Sequence, residues 1–218
     1  MISELPEVVL TEKELHRQSK ELLLEQAQRD AATEARRVVL RREFAEMYRE
    51  MHSDPRSFLG NSTRKHVVEI AALVKQTSAK TMLDYGSGKG MQYLSSRVHE
   101  YWGVALPYCY DPGVRGLHKK PKGRFDVVVC VDVLEHIPEL LIEETAAELF
   151  GYARKGLYAH VALSPAHKML PDGRNAHVTL KPRDWWERVF AEQMRKRKIH
   201  MYKLTFDAGV GDKEDDDD

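Results

Sequence analysis

The stretch "LDYGSGKG", residues 83–90, is a short apolar run that breaks into alternating glycines. Further on, "FDVVVCVDVLEHIPE", residues 125–139, is a longer apolar run that ends on Asp132, Glu135 and His136. An unbroken, valine-rich run of this kind is the pattern of a strand buried on both faces, as central strands of parallel sheets are. Gly86, Gly88 and Gly90 let the backbone take left-handed dihedrals and let a ligand approach closely. A helix starting after them would aim its first amides at an anionic group. Several kinds of nucleotide site share that arrangement.

Working outward, "KTMLDY" (80–85), "GVALPYCYD" (103–111), "KGLYAHVAL" (155–163) and "KIHMYKLTF" (198–206) read as further strands. Pro107 keeps the second of them short. Helical patterns cover "STRKHVVEIAALVKQ" (62–76), with Asn61, Ser62 or Thr63 as N-cap, and "PELLIEETAAELFGYAR" (138–154). Another starts at Pro182 with Asp184 in its first turn. Strand, glycine loop, helix and strand in this order predict an open α/β sheet, mostly parallel. Ligands of such sheets sit beyond the carboxyl ends of the strands. Asp84, the Gly86 loop, Asp111 and Asp132 all fall on that edge.

Residues 1–60 read as a helical N-terminal extension, 61–207 as the main domain, and 208–218 as a disordered acidic tail. The extension lacks Gly and Pro from Thr11 to His52, and opposite charges recur at helical spacing. Its weakly apolar middle, residues 27–37, predicts a bend or a helix pair. Packing on the domain edge, a lid over the site, and a homodimer arm are three roles open to it.

Lys plus Arg equals Asp plus Glu at 34 each, so no global charge draws the chain to nucleic acid or anionic lipid. No apolar run approaches the ~20 residues that span a bilayer, and the N-terminus has no secretory pattern. No membrane partner is expected. Cys109 and Cys130 sit in apolar or aromatic contexts without a CxxC, which predicts free thiols in a reducing cytoplasm.

"LDYGSGKG" and "FDVVVCVDVLEHIPE", in this order and at this separation, resemble the class I S-adenosylmethionine-dependent methyltransferases. The resemblance covers residues 81 to about 165. It implies a Rossmann-like methyltransferase sheet and S-adenosyl-L-methionine as cofactor. It places Asp84, Tyr85, Gly86, Ser87, Gly88 and Gly90 at the methionine end, with Asp84 taking the amine. Asp111 would bind the ribose hydroxyls, and Asp132 and Val133 would line the methyl-transfer side. This chain departs from the family between Asp111 and Phe125, where only "PGVRGLHKKPKGR" intervenes. A crossover takes at least ~10–12 residues with its helix, plus the strand. The sheet is therefore expected to lack its usual third strand, and the acid that strand carries for adenine.

Asp132, Glu135 and His136 stand at i, i+3 and i+4, which on one helical turn share a side. They admit three readings: a structural cap and packing group, a general base at His136 with Asp132 beside it, or a metal site. For the last, His177 in "GRNAHVTLKPRDWW" supplies a fourth ligand. Asp132, Glu135, His136 and His177 then resemble the acid-xx-Glu-His sites of small-RNA terminal 2′-O-methyltransferases and ubiquinone-pathway O-methyltransferases. The resemblance implies Mg²⁺ or Mn²⁺ gripping neighbouring oxygens of the acceptor. Asp132 stands where those branches favour glutamate.

The expected reaction is O-methylation of a small hydroxylated or nucleoside-like acceptor. An RNA methyltransferase using "LHKKPKGR" (117–124) and "RKRK" (195–198) against phosphates is the alternative, and a non-catalytic binding module a third class. His167 is a reserve ligand or acid-base group, Arg174 and Asn175 are candidate acceptor contacts, and one of Trp185 and Trp186 is expected to face the acceptor.

Overall fold

The computed structural model describes residues 12–197, 199 and 201–207; Lys198 of the basic run and the acidic tail 208–218 lie outside them. The chain divides into two units, residues 1–40 and 41–218.

In the first unit, helix α1 (Glu12–Met51) begins, and it runs on without interruption. The helix pair expected over 27–37 as the alternative to a bend does not form. That segment is alanine-rich, and alanine is the best helix former, so a weak apolar stripe does not break the backbone. Ion pairs Arg17–Glu21 and Arg29–Glu25 lie one turn apart along it. Leu22, Leu23 and Leu24 are exposed.

The second unit carries the sheet. Its elements after α1 are α2 (Val67–Thr77), β1 (Met82–Tyr85), α3 (Met91–Ser95), α4 (Val98–Trp102), β2 (Tyr108–Tyr110), β3 (Phe125–Val131), α5 (Glu139–Tyr152), β4 (Ala153–Val161), α6 (Arg183–Lys196) and β5 (Met201–Phe206). The strands pair in the order β2-β1-β3-β4-β5, all parallel. Among the described residues, 112–124 hold turns and no strand or helix, so the expected omission of the third strand is what the fold shows. β2 is an edge strand of three residues, as Pro107 requires.

Burial on both faces follows from side-chain alternation. Val128 and Cys130 point to the face covered by α5 and α6, where Leu149, Phe150, Trp186 and Phe190 pack. Val127, Val129 and Val131 point to the opposite face, against Ile70, Leu73, Val74 and Tyr93. Each such fully buried side chain contributes ~1.5–3 kcal/mol of apolar burial. Trp186 is core, while Trp185 is half-buried, set edge-on against it at 4.9 Å.

Residues 62–66 form a short 3-10 turn ahead of α2, and Asn61 makes no capping bond with its side chain. Both cysteines are free. No described helix is long and apolar enough to cross a membrane.

Candidate functional site

The shared register brings Tyr85, Tyr110 and Val131 to one edge of the sheet. Beyond it lies a cavity of about 380 Å³, within the ~300–1,000 Å³ range of small-molecule sites. Tyr85, Gly86, Gly88, Asp111, Asp132, Val133 and His136 line it, as do Phe44, Tyr48, His52 and Phe58. Residues 41–60, read from sequence as part of an extension, thus supply part of its wall.

The glycine loop is held by the protein itself. Gly86 N and Ser87 N both donate to Tyr110 O, and Gly88 N donates to Asp111 Oδ2 at 2.9 Å. Lys89 N, Met91 N and Gln92 N donate to the carbonyls of Phe58, Leu59 and Gly60. This corrects the expectation that the helix after the loop aims free amides at an anion: the 58–60 strap occupies them, and α3 has only five residues. The glycines are needed for close packing instead. A Cβ on Gly86 would meet Val133 Cγ2 at 2.2 Å, and one on Gly88 would meet Phe58 O at 2.5 Å.

Asp84, expected at the cofactor's amine, packs into the core. It shares the face of β1 opposite Tyr85, is 2% exposed, and accepts hydrogen bonds from Tyr93 Oη at 2.7 Å and Gln92 Nε2 at 3.1 Å. It does not line the cavity, and neither do Ser87 and Gly90. Burial pushes its carboxyl up to about 7. Asp111 does line the cavity. Its Oδ1 accepts from Gly113 N at 2.9 Å and lies 3.5 Å from His52 Nε2.

The four residues expected around one metal separate into two groups. Glu135, His136 and His177 each offer a donor atom, all within 4.8 Å of one another. Asp132 turns away. It adopts φ +56, and its Oδ1 lies 2.7 Å from His160 Nδ1. Burial works to raise the Asp132 carboxyl, but bonding to His160 and Ser62 outweighs it and holds it below the usual range. The 3-10 turn Leu134–His136 redirects the chain after β3, so the i, i+3, i+4 relation of a regular helix does not apply.

Glu135 is fully buried; Oε1 accepts from Ala162 N at 3.2 Å and lies 4.0 Å from His177 Nε2. Oε2 has no hydrogen-bond partner. Burial pushes this carboxyl up to about 8. His136 Nδ1 donates to Ala176 O at 2.9 Å, with Tyr48 Oη 3.0 Å away, and His177 Nδ1 donates to Ser164 O at 2.5 Å. Both rings therefore keep the Nε2 lone pair. Burial pushes His136 down to about 4, so it is neutral at ordinary pH.

Other candidates are placed differently. Asn175 does not line the cavity; it bridges Ala166 N and O and accepts from His177 N, ordering the loop that carries His177. Arg174 pairs with Asp172 and lies over the Phe44 ring. Neither His167 nor Trp185 lines the cavity. Sequence reasoning missed Tyr48, His52 and His66 as site residues. Phe44, Tyr48 and His52 recur every four residues, a signal that a packing stripe also produces.

Neither a curated protein nor a solved structure matches the chain significantly. The family described as "Methyltransferase domain" matches residues 56–205, from the strap through all but the last residue of β5. With that match over most of the chain, and with a parallel sheet beyond which Gly86, Gly88, Asp111 and Asp132 line one cavity, the protein belongs to the methyltransferase domain family of the class I S-adenosylmethionine-dependent superfamily.

Proposed function

We propose that this protein is an active O-methyltransferase, taking S-adenosyl-L-methionine as cofactor and a small hydroxylated or nucleoside-like molecule as acceptor, with a divalent cation at Glu135, His136 and His177. The observation that carries the metal is the unpartnered, fully buried Glu135 Oε2 beside two imidazoles. A buried carboxylate oxygen left unpaired costs ~1–3 kcal/mol, and more when charged; a cation removes that cost. Both Nδ1 atoms are tied to backbone carbonyls, the outer-shell pattern that orients histidine ligands.

For the cofactor, the cavity is of suitable size, and Asp111 presents a carboxylate on its wall. The cofactor supplies an electrophilic methyl group. The cation would lower the pKa of an acceptor hydroxyl and hold neighbouring oxygens. The chain's own part is positioning: Phe44, Tyr48 and Phe58 wall the cavity, and Tyr48 Oη donates to Ala176 O at 3.1 Å beside His136. A neutral His136 pushed down to about 4 is a weak base for a hydroxyl, which favours the ligand role over general-base catalysis. The basic runs are partly neutralised, with Lys120 paired to Glu148 and Lys196 to Glu192, so a small acceptor is preferred over RNA.

The test is Mn²⁺ binding by EPR with S-adenosylhomocysteine present, alongside calorimetry of S-adenosylhomocysteine alone. Wild type should bind both, Asp111→Asn should weaken the nucleoside, and Glu135→Gln and His177→Ala should lose Mn²⁺. A wild type that binds S-adenosylhomocysteine but no cation refutes the metal, and one that binds neither refutes the enzyme.

A further inference from the structure

A second set of metal-type donors meets at the same sheet edge. His66 closes the 3-10 turn before α2, Asp132 follows β3, and His160 lies in β4; each offers one donor atom, all within 4.8 Å of one another. We propose that His66, Asp132 and His160 hold a divalent transition-metal ion of the zinc, manganese or iron class, distinct from any ion at Glu135. Two imidazoles and one carboxylate are a donor set for such ions, softer than the all-oxygen sets of Mg²⁺ or Ca²⁺.

The hydrogen-bond order frees the required lone pairs. Thr205 Oγ1 donates to Ala159 O at 3.3 Å, so its oxygen accepts from Tyr158 Oη at 3.2 Å. Tyr158 Oη in turn accepts the proton on His66 Nδ1 at 2.9 Å. His66 Nε2 is then left with its lone pair. At His160, Nδ1 faces Asp132 Oδ1 at 2.7 Å and is the nitrogen that can share an ion with that carboxylate, the ion taking the place of the proton between them. The opposite Nε2 lies 3.5 Å from Asp207 Oδ1 and keeps its proton towards it. An Nδ1 lone pair facing a carboxylate is repulsive unless a cation or a proton sits between them. The two rings are also in contact, with centroids 4.4 Å apart.

Backbone geometry points the same way. Asp132 is not glycine, yet holds φ +56, a strain of ~1–3 kcal/mol that persists where function requires it. That conformation turns the carboxylate towards His160 and away from His136. Asp132 and Ser62 line the cavity, so an oxygen-bearing ligand there could reach an ion held on that carboxylate. The inference stands independently of the Glu135 site.

The experiment is Co²⁺ titration of the full-length protein, read by visible absorption and by metal content after dialysis. Wild type should bind two ions. His66→Gln and His160→Gln should each weaken one by more than about 100-fold, of the order that loss of ligands or their supports produces, and keep the ion that His177→Ala removes. Variants are compared only where they retain a cooperative melt, and Asp132→Asn serves if a histidine variant does not fold. One ion lost in His66→Gln and kept in His177→Ala supports this site and refutes the Glu135 one. No ion, or binding unchanged in His66→Gln and His160→Gln, overturns it.

Discussion

Asp84→Asn tests whether the acid in β1 serves the core or the cofactor. Asp84 is buried, its carboxyl is pushed up to about 7, and it lies off the cavity. A carboxyl raised above its ordinary value favours folding in its protonated form. Its contribution is therefore intact below the ordinary value and is lost as pH rises towards 7. With a free value near 3.8 and a folded value of about 7, the penalty grows by about 2.5 kcal/mol between pH 5 and 8 and reaches about 4 kcal/mol when complete. Asparagine carries no charge and keeps the shape. Its Oδ1, set where Asp84 Oδ2 lies, still accepts from both Tyr93 Oη and Gln92 Nε2. Urea unfolding of wild type and Asp84→Asn at pH 5, 6, 7 and 8 should show the variant gaining steadily on the wild type. S-adenosylhomocysteine affinity should change little. A stability difference flat with pH refutes the buried-acid account. A large loss of affinity with unchanged stability would return Asp84 to the cofactor's amine.

Gly60→Ala should destabilise by roughly 2–4 kcal/mol, because φ is +76 and the new Cβ would meet Ser87 O at 2.1 Å; a thermal melt within a degree of wild type contradicts this. Tyr48→Phe removes the donor to Ala176 O beside His136 and should cost about 1 kcal/mol with up to ~10-fold weaker Mn²⁺ binding, measured by urea unfolding and EPR. Asp126 accepts from Lys80 N and Thr81 N and lies 3.4 Å from Lys155 Nζ. These bonds outweigh burial and lower its carboxyl, so its contribution is present above the ordinary range and lost as pH falls. Asp126→Ala should cost about 2 kcal/mol at pH 7 and less in acid, and equal costs at pH 7 and pH 3 would exclude that linkage.

The order of strands and the glycine turn were legible in the residues, because strands buried on both faces leave unbroken apolar runs such as 125–131. The missing third strand was legible too, since 112–124 are too few for helix and strand together. What sequence did not determine is where each acid at the strand ends turns. Asp84 and Tyr85 are neighbours on β1 and point to opposite faces, and only the packing of α3 against one face and the cavity on the other decides which of them faces the cavity. Asp132, Glu135 and His136 looked like one helical face. A left-handed residue and a 3-10 turn instead sent Asp132 to His66 and His160, and Glu135 and His136 to His177. Those partners lie 28 to 66 residues away in the chain, so a local spacing rule could not join them. Sequence set the strands and their edge through local periodicity; side-chain direction at that edge depended on long-range packing, which only the tertiary structure holds.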